Sequence, residues 1–209
     1  EIGAGGDLLD RIGAGMTRGR IVVEGDAGAY LGTGMSGGTI EVKGNAGAYA
    51  ATGMRDGEVH IGGNAGDFLA AALPGDHQGM RGGVVLVRGN AADRAGDRMR
   101  RGMLLIEGNA GDYCASRMVA GTIAVWGSVG RFPALAMRRG TLLLQQAPAG
   151  LLPTFNESGT FPFGFLTLLT RSWRGLPGRF GTAPWSDWPF RRFMGDLAND
   201  GRGEILIRS

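Results

Sequence analysis

The sequence is poor in cysteine, lysine and histidine, and each shortage excludes a class of protein. Its 209 residues include one cysteine, Cys114, so no disulfide can form within the chain, which is typical of a reducing compartment. The single lysine, Lys43, does not follow a phosphate-binding glycine loop of the Walker type, which argues against a nucleotide-binding protein of that class. Two distant histidines, His60 and His77, are too few to indicate a metal site.

Long apolar runs are also absent. No stretch of about 18 apolar residues occurs and no signal peptide opens the chain, so we expect a cytoplasmic protein without a membrane partner. The net charge is only +3, from 22 basic and 19 acidic residues, and these are interspersed rather than gathered into one tract. The sequence therefore gives no indication of a nucleic-acid partner.

Glycine, by contrast, is abundant, with 41 residues. The glycines have no Gly-X-Y period, and 43% apolar residues are too many for a disordered linker, which excludes collagen and low-complexity chains. They instead mark a repeat of 19 residues with one spacing of 26, caused by a seven-residue insertion near residues 70–78. The units begin at Gly19, Gly38, Gly57, Gly83, Gly102, Gly121 and Gly140.

Equivalent positions of the units hold equivalent residues. One column is polar: Asp26, Asn45, Asn64, Asn90, Asn109 and Ser128. A second is aromatic except at Arg94: Tyr30, Tyr49, Phe68, Tyr113 and Phe132. A third is methionine: Met16, Met35, Met54, Met80, Met99, Met118 and Met137. We expect the polar column to form hydrogen bonds between units and the aromatic and methionine columns to lie in the core.

Each unit contains one short strand with alternating apolar residues, such as Ile40 and Val42. A unit of 19 residues is too short for a strand and a crossover helix, so we predict one coil of a parallel β-helix per unit. Left-handed coils would need an aliphatic residue at every sixth position, which this sequence lacks. The prediction is an all-β, right-handed parallel β-helix over residues 1–146, followed by a mostly irregular C-terminal extension over residues 147–209.

The outward strand positions change character along the chain. They are charged in the first three coils and apolar from the fourth, and a contiguous apolar face is not left in water. Either the C-terminal extension or another protein chain must cover it. The extension is rich in tryptophan and arginine, which is typical of an interface arm or a cap, and residues 190–197 could form a short helix. The candidate interface residues are Val84, Leu86, Met103, Leu105, Trp126, Leu143, Trp173, Trp185 and Trp188.

Arginine follows the column methionine in four coils, at Arg55, Arg81, Arg100 and Arg138. Aligned at one corner, these side chains would form a positive strip that can hold a polyanion or an acidic partner, or they could simply be solvated. The insertion carries Asp76 and His77, but no serine or cysteine nucleophile has a defined relation to them. We therefore predict no catalytic and no metal-binding residues.

The segments GTIEVKGNAG (residues 38–47) and GMRGGVVLVRGNAADRAGDRMRRG (residues 79–102) resemble the formylmethanofuran dehydrogenase C family. The resemblance covers about residues 13–145 and is greatest to the bacterial formyltransferase/hydrolase type. It implies a non-catalytic scaffold in a complex that moves formyl groups from formyl-tetrahydromethanopterin, via methanofuran or methylofuran, to formate. The implied partners are a formyltransferase, an amidohydrolase-like hydrolase and a further structural subunit. The polyglutamate tail of the carrier would be a possible ligand of the four arginines, although no cofactor is assigned to this chain.

Two alternatives remain. The C-terminal domain of the glutamate synthase large subunit has the same repeat, but the aromatic extension argues against that assignment. A stand-alone carbohydrate-active β-helix enzyme would need acidic residues clustered on one outward face. Glu24 and Glu41 do not lie at the same position of their coils, so no shared catalytic cleft follows.

Overall fold

The computed structural model describes residues 9–209, so residues 1–8 of the predicted β-helix lie outside the described part. Seven strands, one for each repeat unit, pair in parallel and in chain order. They are β1 (Arg20–Val23), β2 (Ser36–Val42), β3 (Asp56–Ile61), β4 (Arg81–Val87), β5 (Arg101–Ile106), β6 (Thr122–Val125) and β7 (Thr141–Leu144). The predicted β-solenoid with coils of about 19 residues is confirmed.

The register of the strands places equivalent repeat positions side by side. Ile40 pairs with Ile21 on one side and Val59 on the other, and this column is fully buried from Ile40 onwards. The column methionines from Met35 to Met137 are also fully buried, as predicted. Most coils thus contribute the inward residues of their strand and one methionine to a continuous core inside the solenoid.

The glycine that begins each unit allows the coils to approach closely. Gly57 has φ of +99°, and a Cβ atom there would lie 2.6 Å from the carbonyl oxygen of Gly38 and 2.7 Å from the terminal methyl of Met35. Because any larger residue would collide with the backbone of the preceding coil, this column must be glycine.

The insertion does not disturb the stacking. Strand β4 follows it, yet Val59 still pairs with Val85 and Ile61 with Val87. Residues 74–77 project from the corner and are mostly exposed to solvent. The extra residues therefore form a loop at one corner and leave the core unchanged.

The C-terminal segment contains more regular structure than the sequence predicts. It comprises β8 (Asn156–Phe161), α1 (Gly164–Trp173), α2 (Arg179–Thr182), a 3-10 turn (Trp185–Asp187), β9 (Phe190–Gly195), a second 3-10 turn (Leu197–Asn199) and β10 (Gly203–Arg208). The helix predicted over residues 190–197 is wrong, because β9 pairs antiparallel with both β10 and β8. No helix within residues 9–209 is long and apolar enough to cross a membrane.

Strand β10 connects the C-terminal segment to the solenoid. It pairs in parallel with β7, with Ile205 beside Leu142, and so occupies the position of an eighth coil strand. Ile205 and Ile207 extend the solenoid core, whereas Leu206 points to the opposite face. The segment therefore caps this end of the solenoid, as repeat proteins require.

Candidate functional site

The apolar outer face of the solenoid is covered by the C-terminal segment of the same chain. Leu86, Leu105 and Leu143 are at most 1% exposed and belong to one cluster with Trp173 and Trp185. The remaining candidate interface residues are partly buried against that cluster; they are Val84, Met103, Trp126 and Trp188. Of the two alternatives that the sequence allowed, the structure thus shows the one in which the chain covers its own face.

In this second core, aromatic rings pack around Trp185. The Trp185 ring is fully buried, with its centroid 5.5 Å from that of Trp126, 5.9 Å from Trp173 and 5.5 Å from Phe180. Such edge and stacked contacts add to the energy of burial itself. The fully buried residues of this cluster leave no surface on which a partner could dock.

The aromatic column lies on the outside of the solenoid rather than in its core, which corrects the sequence prediction. Tyr49 stacks on Phe68 with centroids 4.8 Å apart, and both side chains are only partly buried. Arg94 fills the gap in the column, because its guanidinium lies 4.6 Å from the Tyr113 centroid and 5.8 Å from that of Phe68. A cation–π contact thus replaces a ring contact at this coil.

The four predicted arginines lie at one corner. All are exposed, and the Arg81 amide donates to the carbonyl of Met54 and the Arg100 amide to that of Met80, one coil back. Arg55, Arg81 and Arg100 occupy consecutive coils, whereas Val119 separates Arg100 from Arg138. Within residues 9–209 none of the four forms an ion pair.

A second arginine column, missed at the sequence level, runs beside the first. Arg98 and Arg117 immediately precede their column methionines and have φ of +57° and +53°. Gly34 and Gly53 occupy the same position in earlier coils. The replacement of glycine by arginine at this position is the sequence feature that could have revealed the second column. In these coils the position before the column methionine has a positive φ, which glycine adopts freely, and Ala136 adopts it as well, with φ of +56°.

Arg117 is paired with a buried carboxylate. Its Nε and terminal nitrogen donate to Asp97 at 2.8 and 2.6 Å, and the Ser116 hydroxyl donates to the same carboxylate at 2.7 Å. Asp97 is only 3% exposed, and its hydrogen bonds raise the pKa of Arg117. Each Asp97 oxygen therefore accepts a hydrogen bond from Arg117, and the charge of this carboxylate is paired with that of Arg117.

Arg138 of the first column and both arginines of the second border a groove at the C-terminal end of the corner, whereas Arg55, Arg81 and Arg100 lie outside it. A cavity of about 450 Å³ is lined by His77, Arg98, Arg117, Val119, Ala136, Arg138 and Asn199. An adjoining cavity of about 430 Å³ is lined by Arg138, Arg139, Asn199, Asp200 and Arg202. The two share Arg138 and Asn199 and therefore adjoin; together we call them the arginine groove.

A smaller cavity lies on the charged outer face of the first coils. Its volume is about 320 Å³, and Glu41, Lys43, His60 and Arg88 are among its lining residues. Lys43 and Arg20 both bind Glu41, Arg20 at 2.7 Å, and their hydrogen bonds lower the pKa of this carboxyl to about 2. No three histidine, cysteine, aspartate or glutamate side chains in the described part of the chain are grouped so that they could hold a metal ion.

Comparison with known proteins identifies the family. Residues 38–157 match the family model described as the GXGXG motif. The chain belongs to the GXGXG motif family. This GXGXG protein also matches, over 100% of its length and 77% of the other chain, a chain in the crystal structure of the formyltransferase/hydrolase complex (FhcABCD) from Methylorubrum extorquens in complex with methylofuran.

The identity to that chain is 44% and the TM-score is 0.92. No curated protein matches the GXGXG protein. The match covers the C-terminal segment as well as the coils, and the family relationship predicted from the repeat is confirmed.

Proposed function

We propose that this GXGXG protein is a scaffold subunit of a formyltransferase/hydrolase complex. The observation that carries the proposal is the 44% identity, over the whole chain, to a chain of such a complex. In this proposal the assembly moves formyl groups from formyl-tetrahydromethanopterin, via methanofuran or methylofuran, to formate. The carrier belongs to the complex, and this chain contributes architecture.

The physical character of the solenoid supports the role of a scaffold. Backbone hydrogen bonds join each coil to the next on more than one side, as the parallel bridge between Ala46 and Ala65 illustrates. Two separate cores hold the sheet from its inner and outer faces. A body of this kind presents an extended surface on which several subunits can bind side by side.

The partners in this proposal are a formyltransferase, an amidohydrolase-like hydrolase and a further structural subunit, assembled in the cytoplasm. We further propose that Arg55, Arg81, Arg100 and Arg138 bind carboxylates of the carrier's polyglutamate tail or of an acidic partner. Support for that assignment is their exposure at one corner and the lack of ion pairs to them within residues 9–209.

Purification of the tagged chain from its native host tests the assembly. We expect a formyltransferase and an amidohydrolase-like chain to co-purify in fixed ratio, measured by native mass spectrometry of the intact complex. A tagged, unrelated β-helix protein serves as the control. Recovery of the chain alone, or with subunits of a glutamate synthase, would overturn the proposal.

The non-catalytic role requires a separate test, and the cavity on the first coils offers it. We expect the double variant Glu41→Gln/His60→Ala to assemble normally and to keep formyl transfer and formate release per complex unchanged, because neither group belongs to an active site. A large decrease in turnover by correctly assembled complexes would instead make this chain a contributor to the chemistry.

A further inference from the structure

The arginine groove has an excess of positive charge that the described chain does not neutralise. Five guanidinium groups line it, against the carboxylate of Asp200 in the lining and those of Asp97 and Asp196 beside it, the latter accepting the Ala136 amide at 3.0 Å. Asp97 is committed to Arg117 and Ser116, and Asp200 is exposed at the far end of the groove. The other four arginines form no ion pair within residues 9–209; they are Arg98, Arg138, Arg139 and Arg202.

Three separate parts of the chain are needed to form the groove. Coil corners contribute Arg98, Arg117 and Arg138, the insertion contributes His77, and the C-terminal segment contributes Asn199 and Arg202. Backbone and side-chain contacts fix these parts: the Arg202 amide donates to the Arg138 carbonyl at 2.6 Å, and Asn199 donates to the Asp196 carboxylate at 3.1 Å. The backbone positions that carry the arginines are therefore fixed relative to one another, and the Arg117 guanidinium is also held by Asp97.

The shape of the groove favours an extended ligand over a compact ion. Arg98, Arg117 and Arg138 lie on three successive coils, spaced about 4.8 Å apart as in any parallel sheet. Two adjoining cavities, of about 450 and 430 Å³, extend from these coils to Arg202. An extended peptide, which advances about 3.3 Å per residue, would place several side chains along them.

The lining also discriminates among polyanions. Histidine, valine, alanine and asparagine accompany the arginines, and no aromatic side chain of the described residues lines either cavity. Tyr49 and Phe68 line a smaller cavity that adjoins the groove at Arg98 and Arg117, but these rings stack on each other and their outer faces are covered by Tyr30 and Arg94. Single-stranded nucleic acids are bound with aromatic platforms for their bases, which this groove does not offer. Arginine forks bind carboxylates through paired N–H donors.

We propose that the arginine groove is the docking site for an extended, aspartate- and glutamate-rich segment of a partner protein in the complex. This inference rests on the proposed scaffold function and specifies the chemistry of one contact. The bound segment would place its carboxylates against Arg98, Arg138 and Arg139. It would lie between the insertion loop and the C-terminal segment, so that both parts contribute to recognition.

The first test measures binding of a fluorescein-labelled hexaglutamate peptide to the purified chain by fluorescence anisotropy. We expect the triple variant Arg98→Gly/Arg138→Ser/Arg139→Ser to bind about tenfold more weakly or worse, and high salt to weaken wild-type binding. The matched control is Arg171→Ser/Arg174→Ser, which removes two exposed arginines of the C-terminal segment outside the groove. An equal loss of peptide affinity in the triple variant and in the control would overturn the proposal. Tighter wild-type binding of a single-stranded DNA oligonucleotide than of the peptide would also overturn it.

Folding of the variants is controlled by thermal melting. Arg138 and Arg139 are exposed, and glycine already occupies the position of Arg98 in earlier coils, so the melting temperature is expected to stay unchanged. The second test introduces the same triple variant into the native host. If the variant complex lacks one partner that the wild-type complex retains, the inference is supported. Normal assembly of the variant refutes it. Failure of the wild type itself to assemble would refute the scaffold function instead.

Discussion

Asparagine side chains connect the coils of the solenoid one residue at a time. The Oδ1 atom of Asn45 accepts the Asn64 amide at 2.8 Å, and Asn64 and Asn90 repeat the contact with the next coil. The sequence predicted this ladder because the same residue type recurs at one position. A parallel aspartate ladder, in which Asp93 accepts the Asp112 amide at 2.8 Å, was missed because other coils have alanine or arginine there, at Ala29, Ala48 and Arg131.

Substitution of Asn90 tests the ladder. The variant Asn90→Leu removes the acceptor of the Asn109 amide, so the free energy of unfolding should fall by about 1 kcal/mol. The matched variant Asn90→Asp keeps an acceptor oxygen, as Asp26 does in the first coil, and should stay near wild type. Urea denaturation measures both variants, and equal stability of Asn90→Leu and wild type would contradict the role of the ladder.

Glu41 makes stability depend on pH. Lys43 and Arg20 lower its pKa from 4.5 to about 2, so the folded state binds fewer protons than the unfolded state. The contribution to stability is therefore present above pH 4.5 and is lost as pH falls toward 2. Because both partners are largely exposed, we expect Glu41→Gln to be less stable than wild type by only about 1 kcal/mol at pH 7.

Urea denaturation of wild type and Glu41→Gln across this range provides the measurement. The difference between the two proteins should shrink to nearly zero at about pH 2, where the carboxyl of Glu41 becomes protonated in the folded state as well. A difference that stays constant over the whole range would mean that the ion pairs of Glu41 do not produce it.

The elements of the C-terminal segment were harder to predict than the coils. Phe190 to Gly195 has no clear period, and the residues pair as a strand because β10 and β8 lie on either side of them. Partner strands distant in sequence outweigh local propensity here. The apolar outward face of β4 to β7 did indicate a cover, yet only the structure shows that the chain supplies it.

Substitution of Trp185 measures how much the C-terminal segment that covers the outer face contributes to stability. Trp185 is fully buried and packs against five other aromatic rings, so Trp185→Ala should lower the free energy of unfolding by about 3–5 kcal/mol. Leu168 lies in α1 and is 68% exposed, so Leu168→Ala provides a control expected within about 0.5 kcal/mol of wild type. Similar stability of the two variants would show that the second core contributes little.

At the scale of the whole molecule, the repeat predicted the solenoid and the insertion but not the arginine groove. Arg55, Arg81 and Arg100 could be aligned from spacing alone, because coils stack in register. Arg202 reaches the same corner only because β10 returns to pair with β7, so that Glu204 lies beside Thr141. Long-range pairing of this kind leaves no periodic signal in the sequence.

The two cores share strands β4 to β7 and β10, so we expect the molecule to unfold as one unit. All four tryptophans belong to the outer core, and their fluorescence reports on it, whereas far-UV circular dichroism reports mainly on the coils. The two signals should give coincident urea transitions. A fluorescence transition at clearly lower urea would show that the C-terminal segment detaches first.

The insertion loop offers a practical way to follow this protein. Stacking continues in register on both sides of it, and Gly75 and Asp76 are exposed. Since the core does not respond to the length of this loop, a short epitope or a labelling peptide inserted between these two residues should be displayed without changing the fold. A dye placed there would stand beside the arginine groove, so its emission could report the arrival of a partner in real time.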